Sequence, residues 1–96
     1  MSRERAPLRR LFYDRREDLQ ELDELGVSKR ELKGAVQRCH AEGQLPKGMA
    51  PEFLALVIAA ELADTAELPR GVNWDRIIEL INNLMPLIET WMAMCL

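Results

Sequence analysis

From Ile77 to Cys95 the chain repeats apolar residues at a spacing that suits only a helix. Ile77, Ile81, Leu84, Ile88, Trp91 and Cys95 alternate four and three positions apart. At about 3.6 residues per turn, every third and fourth side chain returns to one face, so this spacing is an a/d seam. Two further apolar rows flank it: Ile78, Met85 and Met92 on one side, Leu80, Leu87 and Met94 on the other. Glu79, Asn82, Asn83, Glu89 and Thr90 are left for the opposite face, and Pro86 falls among them. A proline there loses one intrahelical hydrogen bond, to the Asn82 carbonyl, which water can replace while the helix bends. The pattern predicts one long amphipathic helix over 73–95.

Three adjacent apolar rows are more than a two-helix contact uses. In one reading the helix is the spine of the domain and its own chain covers it, as a chain of 96 residues has little core to spare. In the other, the surplus is a homodimer or partner-helix interface built from Ile77, Ile81, Leu84, Ile88, Trp91 and Met92, since large apolar patches mark association sites. A membrane-surface role suits it less, because the polar face carries Glu rather than Lys or Arg.

The rest of the chain is also helical in period. Alternating β-branched or aromatic runs bounded by hairpin turns do not occur. Leu19, Leu22 and Leu25 form the stripe of a first helix that starts near Asp14 or earlier and ends at Gly26, with Phe12 or Tyr13 extending it upstream. Ser28-Lys29-Arg30-Glu31 is a capping box that opens a second helix, with Leu32, Ala35, Val36 and Cys39 facing inward and Gly43 as its stop. Gly43 to Pro51 reads as a loop, and Pro51 suits the first turn of a third helix. Phe53 to Ala63 is apolar almost all round, which predicts a buried helix over 51–67. Asn73 then caps the last helix. The expectation is a single all-α domain over 1–96, with a basic arm over 1–13, a helical hairpin over 14–43, the buried helix and the long C-terminal helix.

Charge is unevenly placed. Met1 to Gly48 carries eleven Lys/Arg against nine Asp/Glu, and Met49 to Leu96 carries two against seven. Six arginines lie within the first sixteen residues. A basic end on an acidic body suggests an anionic partner for that end, or simply a solvated start to the chain. The longest unbroken apolar run, Phe53 to Ala60, is too short to span a bilayer, and no apolar leader follows Met1. Two cysteines do not make a disulfide scaffold, although a bridge between Cys39 and Cys95 stays open. A cytoplasmic location is expected.

The stretch Glu24 to Gly43 resembles the helix-turn-helix of small phage and bacterial repressors, the Cro type especially. The match is Leu25-Gly26-Val27 at the turn, Leu32 as anchor of the second helix, and Ala35-Val36 one turn on. The resemblance implies that the second helix enters the major groove, with Ser28, Lys29, Arg30, Lys33, Gln37 and Arg38 as readers. Arg and Lys suit guanine, Gln suits adenine, and Ser suits phosphate. Arg3, Arg5, Arg9 and Arg10 would follow the backbone or the minor groove. The chain departs from the family at Leu22, where a small residue is usual, and at Glu21, where an apolar one is. Glu17, Asp18, Glu21, Asp23 and Glu24 of the first helix would repel phosphate if they faced the duplex. Without DNA, the same segment is a helical hairpin whose charges pair at i,i+4.

Gly71 to Arg76 also resembles the Asn-Trp-Gly-Arg stretch of the B-cell-lymphoma family of apoptosis regulators, with Asp75 in place of the Gly. There the Arg helps hold a partner helix in a groove. Helix capping by Asn73 and core anchoring by Trp74 explain the same residues. Catalysis is not expected: there is one His, no phosphate-cradling loop and no set of nucleophile, base and orienter. Cys39-His40 lacks a zinc spacing, so no metal, cofactor or small-molecule substrate is expected. The readings are a DNA-binding regulator that dimerises through its last helix, or a non-enzymatic adaptor, inhibitor or assembly protein that binds no nucleic acid.

Overall fold

A computed structural model describes residues 5–94 of the chain, and the side chains of residues 9–93. Six helices follow one another: α1 (Arg5–Asp14), α2 (Arg16–Glu24), α3 (Lys29–Ala41), α4 (Pro51–Thr65), α5 (Trp74–Asn83) and α6 (Met85–Met94). No strand occurs among the described residues. The all-α class is as expected; the four-helix layout is not, because two of the anticipated elements differ.

The first difference lies at the N-terminus. The stretch expected as an arm over 1–13 is helical from Arg5. Leu11 and Phe12 give it an apolar side that packs on the core, where the Phe12 and Trp91 ring centroids lie 5.7 Å apart. Arg15, at φ −107° and ψ 15°, separates α1 from α2. The bend lets α1 lie against α6 while α2 lies against α5.

The second difference is the C-terminal helix, which is two helices. Leu84 (φ −89°, ψ 1°) ends α5, and Met85 and Pro86 open α6. Pro86 has no N–H for the Asn82 carbonyl, and its ring is tolerated in a first helical turn but not mid-helix. Exposed as anticipated, it marks a break rather than a bend. The break re-aims the chain: α5 packs on α4 and α2, whereas α6 packs on α1 and α3.

Local signals account for the other boundaries. The Ser28 hydroxyl accepts from the Glu31 amide at 3.1 Å, and the Glu31 carboxylate accepts from the Ser28 amide at 3.1 Å. α2 ends in a Schellman turn, with Val27 N–H on the Leu22 carbonyl and Gly26 N–H on the Asp23 carbonyl, each at 3.0 Å. Gly26 takes φ +110° there, and a Cβ on it would sit 3.0 Å from Leu68 Cδ2. Pro51 opens α4, and Asn73 Oδ1 accepts from the Arg76 amide at 3.1 Å to cap α5.

One core unites the helices. Leu22 and Val27 belong to one buried cluster with Leu32, Ala35, Val36 and Cys39 of α3, the inner side of α4, and the α5–α6 pair. Ile77, Leu80, Ile81, Leu84, Leu87 and Ile88 are fully buried, and Trp91 nearly so.

Candidate functional site

Of the residues considered for a partner interface, Ile77, Ile81, Leu84, Ile88 and Trp91 are core and Met92 is half-buried against it. The surplus apolar area of the C-terminal segment is therefore covered from within the chain. A straight helix could not hide three rows, but two short helices at an angle share the load among α1, α2, α3 and α4. These residues form no docking face.

The exposed apolar surface is on α4 instead. Leu54, Ala55, Ile58, Ala59 and Leu62 point inward, so the helix expected to be buried is buried along one side only. On the other side Phe53 is 57% exposed and Leu56 47%, and Met49 in the preceding loop is 37% exposed. Ala60 continues the ridge one turn on, and Val57 lies half-buried beside it. Between this ridge and the α3–α4 loop runs an open groove of about 480 Å³, lined by Gln44, Pro46, Met49, Val57, Ala60 and Asp64. The sequence signalled an uncovered side of this helix without saying which side it would be. A helix apolar all round cannot be covered all round in a domain this small, where a large share of every element meets solvent.

The residues considered for DNA divide into two groups. Arg38 is taken up by the fold: its Nε–H donates to Glu61 Oε2 at 2.6 Å and an Nη2–H donates to Thr65 Oγ1 at 2.9 Å, tying α3 to α4. Ser28 serves as the α3 cap. Lys29, Arg30 and Gln37 are exposed and Lys33 is half-buried, all along the outward side of α3. Among the described residues none of these three cations has an ion-pair partner, and the acidic residues of α2 do not reach them. Lys29 Nζ sits 4.6 Å over the Phe12 ring of α1, so the basic end of α3 joins the α1 surface. Arg9 and Arg10 are exposed there, as is Tyr13 at 64%, with the Arg16 guanidinium 4.1 Å over its ring. Arg3, the Arg5 side chain and Cys95 lie outside the described residues.

The helix pair that resembles a helix-turn-helix does not depend on its two helices packing on each other. α2 rests on α1 and α5, while α3 rests on α4 and α6. Leu68 and Pro69 of the α4–α5 loop back the turn at Gly26.

Arg76, from the stretch likened to an apoptosis-regulator groove, is held on both sides by carboxylates. It donates to both oxygens of Glu21 and, at 2.7 Å, to Glu79 Oε1. Hydrogen bonding by Arg76 holds the Glu21 carboxyl below the usual carboxylate range. Cys39 is a buried free thiol, and its pKa is pushed up to about 11, first by burial and then by Glu61 and Glu42. Such a thiol is a poor nucleophile and a poor metal ligand. Among the described residues no three His, Cys, Asp or Glu side chains converge as metal ligands. No described helix is long and apolar enough to cross a membrane. No family model, curated protein or solved structure matches the chain.

Proposed function

We propose that this chain is a non-enzymatic interaction module that docks a protein partner on the outer face of α4. One observation carries the reading: Phe53 and Leu56 stand one turn apart, large, apolar and about half exposed, on a helix whose inner side is firmly held in the core. An aromatic anchor beside a groove on a rigid helix is the usual centre of a protein–protein contact. Of the charges on and beside α4, Glu61 is paired with Arg38, and the exposed Glu52, Asp64 and Glu67 outnumber Lys47, so the complementary partner is an apolar surface rimmed with Lys and Arg.

Selection of displayed peptides against the full chain tests this reading. It expects amphipathic, Lys/Arg-rimmed sequences whose binding falls at least about tenfold when Phe53→Asp and Leu56→Asp are combined, in line with loss of a hot spot. If no selected ligand depends on these two residues, the α4 face is not a docking site.

The second reading, a DNA-binding regulator, is favoured by the Lys29, Arg30 and Lys33 row and by Gln37 beside it. It expects duplex DNA to be retained at low salt and released steeply as salt rises. Retention unchanged by Arg30→Ala with Lys33→Ala ends it.

A further inference from the structure

The α4 partner is, we infer, a second copy of this chain, engaged head-to-tail through its α1–α3 basic face. The inference rests on the α4 reading above and names the occupant. Two exposed faces of the molecule are complementary in character. Phe53 and Leu56 of the first are apolar, with Asp64 at one end and Glu52 at the other; Glu52 lines a cleft in which Asp75 and Glu79 outnumber Arg76. Tyr13 of the second is the most exposed large apolar residue described, and the cations near it, Arg9 and Arg10 one turn earlier, Arg16 over its ring and Lys29 over the neighbouring Phe12, outnumber the exposed carboxylates Asp14 and Glu17. Lys33 extends that face along α3, and Arg30 borders it from a cleft that Gly34, Arg38, Thr65 and Ala66 also line. Both faces thus offer an apolar centre and a charged rim, and the rims have opposite sign.

Both apolar centres, Phe53 with Leu56 and Tyr13, are exposed in the folded chain, so one copy does not cover one with the other. α1 packs on α6 and α2, whereas α4 packs on α3 and α5. A contact between unlike faces of two copies is heterologous: each copy that uses one face leaves the other free, and the assembly grows unless it closes into a ring. The charge division of the chain, positive over Met1 to Gly48 and negative over Met49 to Leu96, is what such a contact requires.

Sedimentation of the full chain over a wide concentration range tests this. The expected result is a mean mass that climbs past the dimer with concentration and falls back toward the monomer in high salt. Two variants each remove one face. Phe53→Glu with Leu56→Glu spoils the α4 face. Lys29→Glu with Arg30→Glu spoils the basic face at the first turn of α3, where carboxylates suit the helix N-terminus, at the loss of the Lys29 contact with the Phe12 ring. Each variant alone should be monomeric, with an unchanged circular dichroism spectrum. Mixed, they should form a one-to-one dimer and nothing larger, because each brings the face the other lacks. A wild-type chain that stays monomeric overturns the inference, as does a mixture that stays monomeric or a basic-face variant that still self-associates. If the monomeric chain nevertheless binds selected peptides through Phe53 and Leu56, the α4 reading survives without this one. If it binds none, both are lost. Binding of duplex DNA at the Lys29–Arg30 face with no oligomer present would assign that face to nucleic acid and overturn the inference.

Discussion

Arg76 on α5 grips the carboxylate of Glu21 on α2, 55 residues earlier in the chain, through hydrogen bonds to both carboxylate oxygens. An acidic residue that departs from the repressor pattern thus acts structurally, holding the N-terminal helices to α5. Because the Glu21 pKa is depressed below its usual value of 4.5, the pair contributes stability above that value and loses it as pH falls through the folded-state pKa. Glu21→Gln should therefore lower the urea midpoint at neutral pH. The gap to the wild type should close as the solution is acidified below pH 4.5. A gap that persists in acid would mean the carboxylate does something other than pair with Arg76.

The two sides of α4 should respond differently to substitution. Ile58→Ala opens a cavity in the core and should cost about 2–5 kcal/mol in denaturant unfolding, as should Leu32→Ala on α3. Phe53→Ser and Leu56→Ser, on the outer side, should stay within about 0.5 kcal/mol of the wild type. A large loss at Phe53 would mean that the residue is packed in solution.

Gly26 and Gly34 make a second contrast. At Gly26 an alanine would have to hold φ +110° with its Cβ 3.0 Å from Leu68 and 3.2 Å from Pro69, so Gly26→Ala should cost about 1–3 kcal/mol. Gly34 lies inside α3, and a Cβ there meets only the far end of the Arg38 side chain at 3.3 Å. Gly34→Ala should stabilise the protein by up to about 1 kcal/mol, by the helix preference of alanine over glycine. Thermal or urea unfolding of the two variants measures both signs.

Ser28→Ala should cost about 1 kcal/mol, because the Glu31 amide loses its acceptor. Ser28→Asp should retain most of the stability, since aspartate caps as well. Equal losses in both variants would assign the serine a role other than capping.

The Cys39 thiol should resist alkylation in the folded chain and react at a rate set by unfolding, measured in a Cys95→Ser background so that one thiol is counted. Its raised pKa also carries a sign. The unfolded thiol ionises near 9 and the folded one near 11, so the stability it contributes is complete below pH 9 and is lost as pH rises toward 11. Unfolding titrations over that range, with Cys39→Ala as reference, read the difference.

Much of the fold was legible because its signals are local. The Ser28–Glu31 box, the Asn73 cap, Pro51 at a helix start and the Leu32, Ala35, Val36 and Cys39 face each act within one or two turns. Pro86 was legible too, but its effect was not: whether a proline bends a helix or ends it depends on what the two halves pack against. The α4 face was hidden for a related reason. An all-apolar helix states that burial is favourable on every side, and says nothing of which side runs out of neighbours.

The helical class, the inner faces of α2 and α3 and the turns between them follow from residue order alone, since backbone hydrogen bonding and side-chain period decide these within a few residues. It took the packed chain to make core of Ile77 to Trp91, to turn Arg38 to Glu61, and to leave Phe53 and Leu56 facing outward. Those outcomes are collective: a limited amount of chain must cover competing apolar surfaces, and which surface is left uncovered depends on how all six helices share the core.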